Sequence, residues 1–278
     1  MTDSITVRRM EFNFNDDMDL VFIKDDPQFS FLFLGTWMLL PYLEPYLIRT
    51  MRQAMEEVED GQLHYEMKQF CSQEGQHYRQ HAKANELILA AMPGAARSRM
   101  EAMLAEIDAE YRDLFENKPL AWNLAYAEGF EAYTCAGARA QLATRVFDYM
   151  KDPIRDLMLW HIMEEVEHRT VAFDAYEALG KGYWYHLYWG FWAQRHFVGL
   201  GNRLAKIMQD AFPELVESHE NAESKKRRNG QRRQYVWRLL RDLPLIYMPW
   251  YNPHRLTLPA MYDEARLEYD QRAVKTAA

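Results

Sequence analysis

The chain has 278 residues, 49% of them hydrophobic and 27% charged, which is typical of a soluble globular protein with one large domain or two small ones. A net charge of −8 excludes a chain-wide basic surface for nucleic acid. The two cysteines, Cys71 and Cys135, exclude a disulfide framework and a zinc motif built from cysteines.

Helical spacing of apolar residues dominates the chain, and strand patterns are weak. Residues 1–26 predict an extended N-terminal arm without the apolar region of a signal peptide. The longest uncharged run, 27–43, is short for a membrane span and contains Pro41, so we expect a cytoplasmic protein. The spacing predicts helices over about 29–59, 62–91, 96–115, 119–150, 153–178 and 183–211.

Pro41 and Pro45 should bend or split the first of these helices. The basic stretch 221–234 is expected to be a loop that leads into a seventh helix, and a short helix closes the chain. The prediction is an all-α protein with four long helices that can form a bundle.

The stretch HIMEEVEH, from His161 to His168, places five ionisable side chains in an otherwise apolar helical run. His161, Glu165 and His168 stand at i, i+4 and i+7 and share one helix face. Glu164 lies near that face and Glu167 points away. Charged groups are costly to bury unless they are paired or bind a metal. The stretch therefore predicts one wall of a metal site.

A second stretch, CSQEGQHYRQH, repeats the motif, because Glu74 and His77 form another E-x-x-H and His81 follows one turn later. Two such motifs on separate helices are the pattern of bundles that bind a pair of iron or manganese ions. These sites need one more glutamate from each of two other helices. Glu44, the only charged residue from position 27 to 48, supplies the first.

The segment AYAEGFEAYTCAGA supplies the second glutamate, and Glu128 and Glu131 both qualify by spacing. His161 is either a third imidazole ligand or a histidine that supports the ligands, and His81 fits a supporting or surface position better than a ligand position. The cysteines are most simply small packing residues. By spacing, the candidates that hold the imidazoles in place are His81, Tyr65, Asp174 and Glu164.

Six segments carry a family resemblance in this order: VRRMEFNF, PYLEPYLIR, FCSQEGQHYRQHAKAN, GFEAYT, HIMEEVEHRTVAFDAY and YMPWYNPHR. They resemble the bacterial proteins described as predicted metal-dependent hydrolases, over roughly residues 7–255. That family looks like a ferritin-like di-iron group. The resemblance therefore implies a ferritin-like four-helix bundle with additional C-terminal helices.

The resemblance also bears on two ligands. In the family the glutamate of this helix is followed by an aromatic residue and threonine, which favours Glu131 over Glu128. The arrangement H-x-x-x-E-x-x-H is similar to that of di-iron arylamine N-oxygenases, where the extra histidine is a third imidazole on one iron, and this implies the same role for His161. The expected metal ligands are Glu44, Glu74, His77, Glu131, His161, Glu165 and His168.

We expect one domain over 1–278, with the arm at 1–26, a metal-binding bundle at 29–178, and an aromatic helix, basic loop and C-terminal helices at 182–278. The expected cofactor is two Fe ions, with Mn as the alternative, and O₂ is the cosubstrate. The reaction would oxidise a small hydrophobic or aromatic molecule by hydroxylation, desaturation or N-oxygenation.

The alternative reaction is hydrolysis, since two divalent metals activate water. Hydrolytic sites draw more ligands from loops and more from Asp, which favours oxidation here. Iron storage fits less well, because about 100 residues follow the last ligand without a storage role. A radical-generating subunit is a further alternative, whose tyrosine cannot be chosen among 17. The aromatic stretch GYWYHLYWGFWAQRHFVGLG either roofs a substrate cavity or packs in the core or a dimer interface.

The basic segment 221–241 holds eight Lys and Arg against one acid, Glu223. Its simplest interpretation is a solvated surface, and peripheral contact with a membrane or an acidic electron donor are the alternatives. We expect a small-molecule substrate, an external electron donor and a homodimer, and no nucleic acid as partner.

Overall fold

The computed structural model describes residues 5–14, 18–218 and 222–274. The chain is all-α, as predicted, and in the described ranges the only β-type pairing is an isolated antiparallel bridge between Ile23 and Met150. Eleven α-helices are described: α1 Pro27–Met38, α2 Leu40–Met55, α3 Gly61–Ala91, α4 Gly94–Asn117, α5 Leu120–Thr144, α6 Ile154–Glu167, α7 Val171–Leu179, α8 Tyr183–Ala211, α9 Pro213–Ser218, α10 Ala222–Asp242 and α11 Ala260–Arg272.

Two predicted helices are each divided in two. The first splits at Leu39, which places Pro41 in the opening turn of α2, where its missing N–H lies among groups that have no helical partner anyway. Pro45 is accommodated inside α2. The predicted helix over 153–178 breaks between α6 and α7, and His168 is the residue directly after α6.

The prediction of a loop over 221–234 is wrong for its described part, because α10 covers it from Ala222 onward. Arg, Lys and Gln are good helix formers, so the composition permits a helix once its charge is compensated. The guanidinium of Arg232 donates to the carboxylate of Asp26 at 2.6 Å and lies 5.4 Å from the ring centroid of Phe29. These contacts tie α10 to the start of α1.

Helix α8 packs against α1 and α5 at glycine contacts. A Cβ atom on Gly129 would lie 2.3 Å from the Cα of Gly190, and one on Gly35 would lie 2.4 Å from the backbone N of Ala205. No side chain fits at such distances, so glycine is required for the helices to approach this closely.

The described part of the N-terminal arm runs across the bundle, and residues 1–4 and 15–17 of the predicted arm lie outside the described residues. The side chain of Gln80 on α3 donates to the carbonyl of Met10 at 2.7 Å. The N–H of Val274, after α11, donates to the carbonyl of Arg9 at 2.9 Å. The arm therefore joins α3 to the C-terminal helix.

The segment Pro27–Met55, which comprises α1 and α2, is long and apolar enough to cross a membrane by length and mean hydropathy. It is the only such segment in the described ranges, and 72% of its apolar window is buried inside the protein. Burial of this kind is typical of a core helix, and one segment of this type is weak evidence for a membrane span.

Candidate metal centre

Four buried glutamates from four helices meet in the interior of the fold. Glu44 lies on α2, Glu74 on α3, Glu131 on α5 and Glu165 on α6, and none is more than 2% exposed. Burying a carboxylate is expensive unless it is paired, hydrogen-bonded or bound to a metal. The fold therefore brings together the four carboxylates that stood out in the sequence.

Three buried histidines lie among these carboxylates. The Nδ1 atom of His77 is 3.6 Å from Oε1 of Glu74, and Nε2 of His161 is 2.7 Å from Oε1 of Glu165. Nδ1 of His168 is 3.4 Å from the same Glu74 oxygen. Although His168 follows the last residue of α6, it still faces the cluster.

The seven side chains form three groups that could each hold a metal ion, because in each group one donor atom per residue lies within 4.8 Å of the others. The groups are Glu44, His77 and His161; Glu74, His77 and Glu165; and Glu74, Glu131 and His168. The first and third groups share no residue, and the second contains one member of each. The donors thus form two separate sets linked by Glu74 and His77.

Many donor atoms of this cluster are buried without a hydrogen-bond partner among the described residues. They are both carboxylate oxygens of Glu44 and Glu131, Oε1 of Glu74, Oε2 of Glu165, Nδ1 of His77 and both ring nitrogens of His168. Buried polar groups in native proteins are nearly always satisfied. Because carboxylate oxygens and imidazole nitrogens are common metal ligands, the residues present fit a bound metal cofactor.

Two of the four predicted supporting residues contact the histidines. Nε2 of His77 is 3.0 Å from Oε2 of Glu164, and Nδ1 of His161 is 2.7 Å from Nε2 of His81. Histidines that bind metals usually have their other ring nitrogen held in this way, which fixes the tautomer and the ring orientation. Glu164 and His81 therefore occupy the positions of supporting residues.

The other two predicted supporting residues, Tyr65 and Asp174, do not contact the histidines of the cluster, and neither cysteine has a reactive thiol. Tyr65 is 54% exposed, and Asp174 is hydrogen-bonded to His254 at 2.9 Å. Burial raises the pKa of Cys71 to about 12 and that of Cys135 to about 11. At neutral pH both thiols stay protonated, so these cysteines are packing residues rather than nucleophiles.

A buried arginine of the N-terminal arm, which sequence reasoning missed, supports the cluster from behind. Arg8 is 2% exposed and donates to Glu164 at 3.0 Å and to both oxygens of Glu167 at 2.9 Å. Gln73 also donates to Glu167 at 2.9 Å. The chain of contacts from Arg8 through Glu164 holds the ring of His77. No local signal could identify Arg8, because 156 residues separate it from Glu164.

The pKa values of the carboxylates reflect a cluster rich in negative charge. Burial raises the pKa of Glu44 and of Glu131 well above the usual range, and neighbouring carboxylates raise both further. The pKa of Glu165 is well below its usual range, because His168 and His161 together outweigh its burial. A bound cation would compensate the buried negative charge and lower the pKa values of the first two.

Glu128, the alternative to Glu131, lies apart from the cluster. It is 2% exposed and pairs with His186 of α8, and it belongs to none of the three groups. Burial raises the pKa of Glu128 to about 8 and lowers that of His186 to about 4, so the pair is neutral near pH 7. Of the two glutamates, Glu131 is the one that faces the other donors.

An apolar cavity of about 310 Å³ reaches the cluster. Its walls come from α1, α2, α5, α6, α8 and α10, and it meets the donors at His161 and Glu165. Most of the lining is aromatic or aliphatic, including Phe33, Trp37 and Phe197. The volume is at the lower end of the range of small-molecule sites.

The aromatic residues of α8 lie in three different environments: the cavity wall, the core and the surface. Phe197 lines the cavity. Trp189 and Trp192 pack against Trp122, with ring centroids 5.6 and 5.5 Å apart. Trp184, by contrast, is 78% exposed. Both predicted uses of this helix, cavity wall and core packing, therefore occur at different positions along it.

A family model described as predicted metal-dependent hydrolase matches residues 6–256, which is most of the chain. The chain therefore belongs to the family of predicted metal-dependent hydrolases. No curated protein and no solved structure shows a significant match. Membership in a metal-dependent family agrees with the buried donor cluster.

Proposed function

We propose that this member of the predicted metal-dependent hydrolase family is a non-haem di-iron oxygenase or oxidase. It would use O₂ to oxidise a small hydrophobic or aromatic molecule by hydroxylation, desaturation or N-oxygenation. The observation that carries the proposal is the apolar cavity that ends at His161 and Glu165. A cavity with such walls suits a lipophilic substrate whose reacting carbon or nitrogen atom lies beside the donors.

In this proposal the fold is a ferritin-like bundle with additional C-terminal helices. The two donor groups without a common residue hold one ion each, and the linking group joins them. The ligands are Glu44, Glu74, His77, Glu131, His161, Glu165 and His168. Four carboxylates balance the charge of two divalent ions, which accounts for so much buried negative charge. Manganese is the alternative metal.

Bound iron would supply the electrons that reduce O₂, and the protein would supply binding, orientation and exclusion of water. Trp37 lies with its ring centroid 5.2 Å from that of His161, and Trp160 lies 4.8 Å from His77. These indoles cover the imidazoles. Together with the apolar lining of the cavity, they exclude water from the reacting atoms.

The supporting residues select which ring nitrogen faces the metal. Glu164 accepts a hydrogen bond from Nε2–H of His77, which leaves Nδ1 as its ligand atom. The contact between His81 and Nδ1 of His161 likewise leaves Nε2 as the ligand atom of His161. This assignment requires Nδ1–H of His161 to donate to Nε2 of His81, and the rings of His77 and His161 then each direct one lone pair toward the metal site.

Hydrolysis is the second candidate, and the description of the family is the observation that favours it. Two divalent ions can activate water for attack on an ester or a phosphate. Hydrolytic sites of this kind draw more on Asp and on loops, whereas all seven donors here are Glu or His on or directly after helices. An apolar cavity also offers little to hold a charged phosphate.

The proposal includes an external electron donor, because reduction of O₂ to water takes more electrons than hydroxylation or desaturation of the substrate provides. It also includes a homodimer and a cytoplasmic location. Nucleic acid is not proposed as a partner, given the net charge of −8.

The test is anaerobic loading with Fe²⁺, counting of bound metal, and exposure to O₂ with measurement of O₂ uptake. We expect two irons per chain and oxidation of the bound iron to Fe³⁺. Two bound ions that do not react with O₂ would favour hydrolysis and a screen of esters and phosphates. Absence of stoichiometric metal would overturn both candidates.

Variants assign the metal to the cluster. His77→Ala and Glu165→Ala should each lose at least one metal ion per chain. The matched control is Glu128→Gln, which changes a buried glutamate on α5 outside the three groups and should keep two ions. If both cluster variants retain two ions, the assignment of the site is wrong.

A further inference from the structure

Large apolar side chains are exposed on α8, on α10 and on the segment that follows α10. They include Trp184 at 78%, Trp250 at 72%, Trp237 at 69% and Leu240 at 57%. Isolated exposed apolar residues are ordinary, but several large aromatics close together mark an interaction surface. We call these residues, with Tyr188, Phe191 and Leu245, the aromatic face.

The segment that follows α10 joins the exposed aromatic residues of α8 to the end of α10. Residues 243–247 continue directly from α10 and bring Tyr247 against α8, where its ring centroid lies 5.7 Å from that of Phe191. The hydroxyl of Tyr183 donates to the carbonyl of Tyr247 at 2.6 Å. Trp184, Tyr188, Phe191 and Tyr247 then line one shallow exposed hollow. The C-terminal half of α10 and the N-terminal half of α8 are thus joined through Tyr247.

Helix α10 carries a dense positive charge. From position 225 to 241 the sequence has eight Lys and Arg and no Asp or Glu. Lys226 and Arg233 are exposed on α10. The next acid, Asp242, is 4% exposed and pairs with Arg238 and Arg241 as well as Arg139. Asp26 pairs with Arg232, so these two carboxylates offset part, but not all, of the positive charge of α10. This face is basic although the whole chain is acidic.

The apolar cavity borders this face. Val236, which is adjacent to Trp237, lines the cavity and is 44% exposed, and the cavity residues Leu32 and Val198 are each 37% exposed. The cavity wall therefore continues to the surface beside the exposed part of α10. An apolar molecule could pass from an apolar medium in contact with this face into the cavity with little exposure to water.

We propose that the aromatic face and the basic residues of α10 dock the protein on an anionic phospholipid membrane. Trp and Tyr side chains favour the headgroup region of a bilayer, and Lys and Arg next to them are attracted to anionic lipids. A helix with both features lies in the plane of the interface. A second step, entry of a lipophilic substrate from the membrane into the cavity, rests on the proposed function, whereas docking does not.

Charge and composition favour a membrane over a protein partner. In a symmetric contact between two copies, the basic α10 of one chain would meet that of the other, and the like charges would repel. An acidic protein would match the charge and would bury the indoles of Trp184, Trp237 and Trp250. It would also close the cavity where it reaches the surface beside Val236, whereas a bilayer leaves that opening accessible to lipophilic molecules. An anionic bilayer satisfies both the charge and the indoles.

Sedimentation with vesicles tests the docking. The full chain, without added iron, is mixed with vesicles of phosphatidylcholine alone or with about 30% phosphatidylglycerol. We expect binding to the anionic vesicles only, weakened by salt. Lys226→Gln with Arg233→Gln should lower the partition coefficient about 25-fold, from about fivefold per charge. Trp237→Ser with Leu240→Ser should abolish detectable binding.

Matched controls use equally exposed residues elsewhere. Leu267→Ser on α11 removes a 63% exposed apolar side chain, and Lys68→Gln with Lys83→Gln removes two exposed charges from α3. Far-UV circular dichroism confirms that every variant is folded. The controls should bind anionic vesicles as the unsubstituted chain does.

Three results would overturn the proposal. They are no binding to anionic vesicles at low salt, equal binding to neutral vesicles, and unchanged binding of both α10 variants. A dimer that the Trp237→Ser, Leu240→Ser variant converts to monomer, with no vesicle binding, would instead identify the face as an interface between copies. Since docking is measured without iron and O₂ uptake without vesicles, failure of one experiment does not affect the other.

Discussion

Replacing Arg8 by methionine removes the cation that holds the cluster from behind. Arg8 and Glu164 are buried, and the three hydrogen bonds from Arg8 to Glu164 and Glu167 are 2.9–3.0 Å long. Burial opposes the charge of Arg8, but Glu167 and Glu164 raise its pKa above its usual value, so the side chain stays charged. The substitution leaves Glu164 and Glu167 buried next to each other without the guanidinium that pairs with both.

Removing one partner of a buried ion pair costs about 3–5 kcal/mol. We expect a loss of this size in the free energy of unfolding of Arg8→Met, measured by urea titration of metal-free protein with far-UV circular dichroism. A globular domain has only about 5–15 kcal/mol in total, so the shift in the urea midpoint should be large. Glu164 also becomes free to move, and loss of such a supporting contact lowers metal affinity about 10- to 100-fold.

The matched control is Arg145→Met. Arg145 also pairs with carboxylates, those of Asp148 and Glu264, but its side chain is 48% exposed. Water solvates the carboxylates once such an exposed pair is lost, so the expected change in the free energy of unfolding is below about 1 kcal/mol. A double substitution of Arg8→Met with Glu167→Met should recover part of the stability, because one uncompensated carboxylate is removed. If Arg8→Met is no more destabilising than the control and binds metal normally, the reasoning is refuted.

The remaining predictions concern packing, protonation and metal. Gly129→Ala should lower the free energy of unfolding by several kcal/mol, because its Cβ would collide with Gly190. Gly199→Ala, on the open side of α8, should raise the free energy of unfolding by about 1 kcal/mol, and urea titrations compare the two variants. The folded-state pKa of Glu128, about 8, is above its unfolded value, so this group makes stability fall as pH rises from about 4.5 to 8. As pH rises from 5.5 to 7.5, the free energy of unfolding of Glu128→Gln should therefore increase by about 2 kcal/mol relative to that of the unsubstituted chain. Parallel curves of unfolding free energy against pH for the two proteins would contradict this. Saturating Fe²⁺ or Mn²⁺ at about 1,000 times its Kd should raise the free energy of unfolding by about 4 kcal/mol, and an unchanged melting temperature would contradict a bound metal.

Local sequence was sufficient for the helices and for the residues that face inward. Helical periodicity is encoded over one or two turns, which is why α3 and α8 were predicted almost to the residue. The spacing of Glu165 and His168, and of Glu74 and His77, places each pair on one face for the same reason. Glu44 stood out because a lone carboxylate in an apolar run needs a partner that the run itself does not supply.

The tertiary structure alone decided how these faces meet. Spacing left Glu128 and Glu131 open and only the family resemblance favoured Glu131; the packing of α5 places Glu131 in the donor cluster and Glu128 against His186. The helix over 222–234 is held against the start of α1 by the contact of Arg232 with Asp26, a long-range pair that the local sequence does not show.

The contact of Arg8 with Glu164 spans 156 positions, and that of His81 with His161 spans 80. The cavity arises only where six helices leave a gap between them. Periodicity determines which side of a helix is buried, but the energies that select its partners come from packing and charge compensation between distant segments. Those energies exist only in the folded chain.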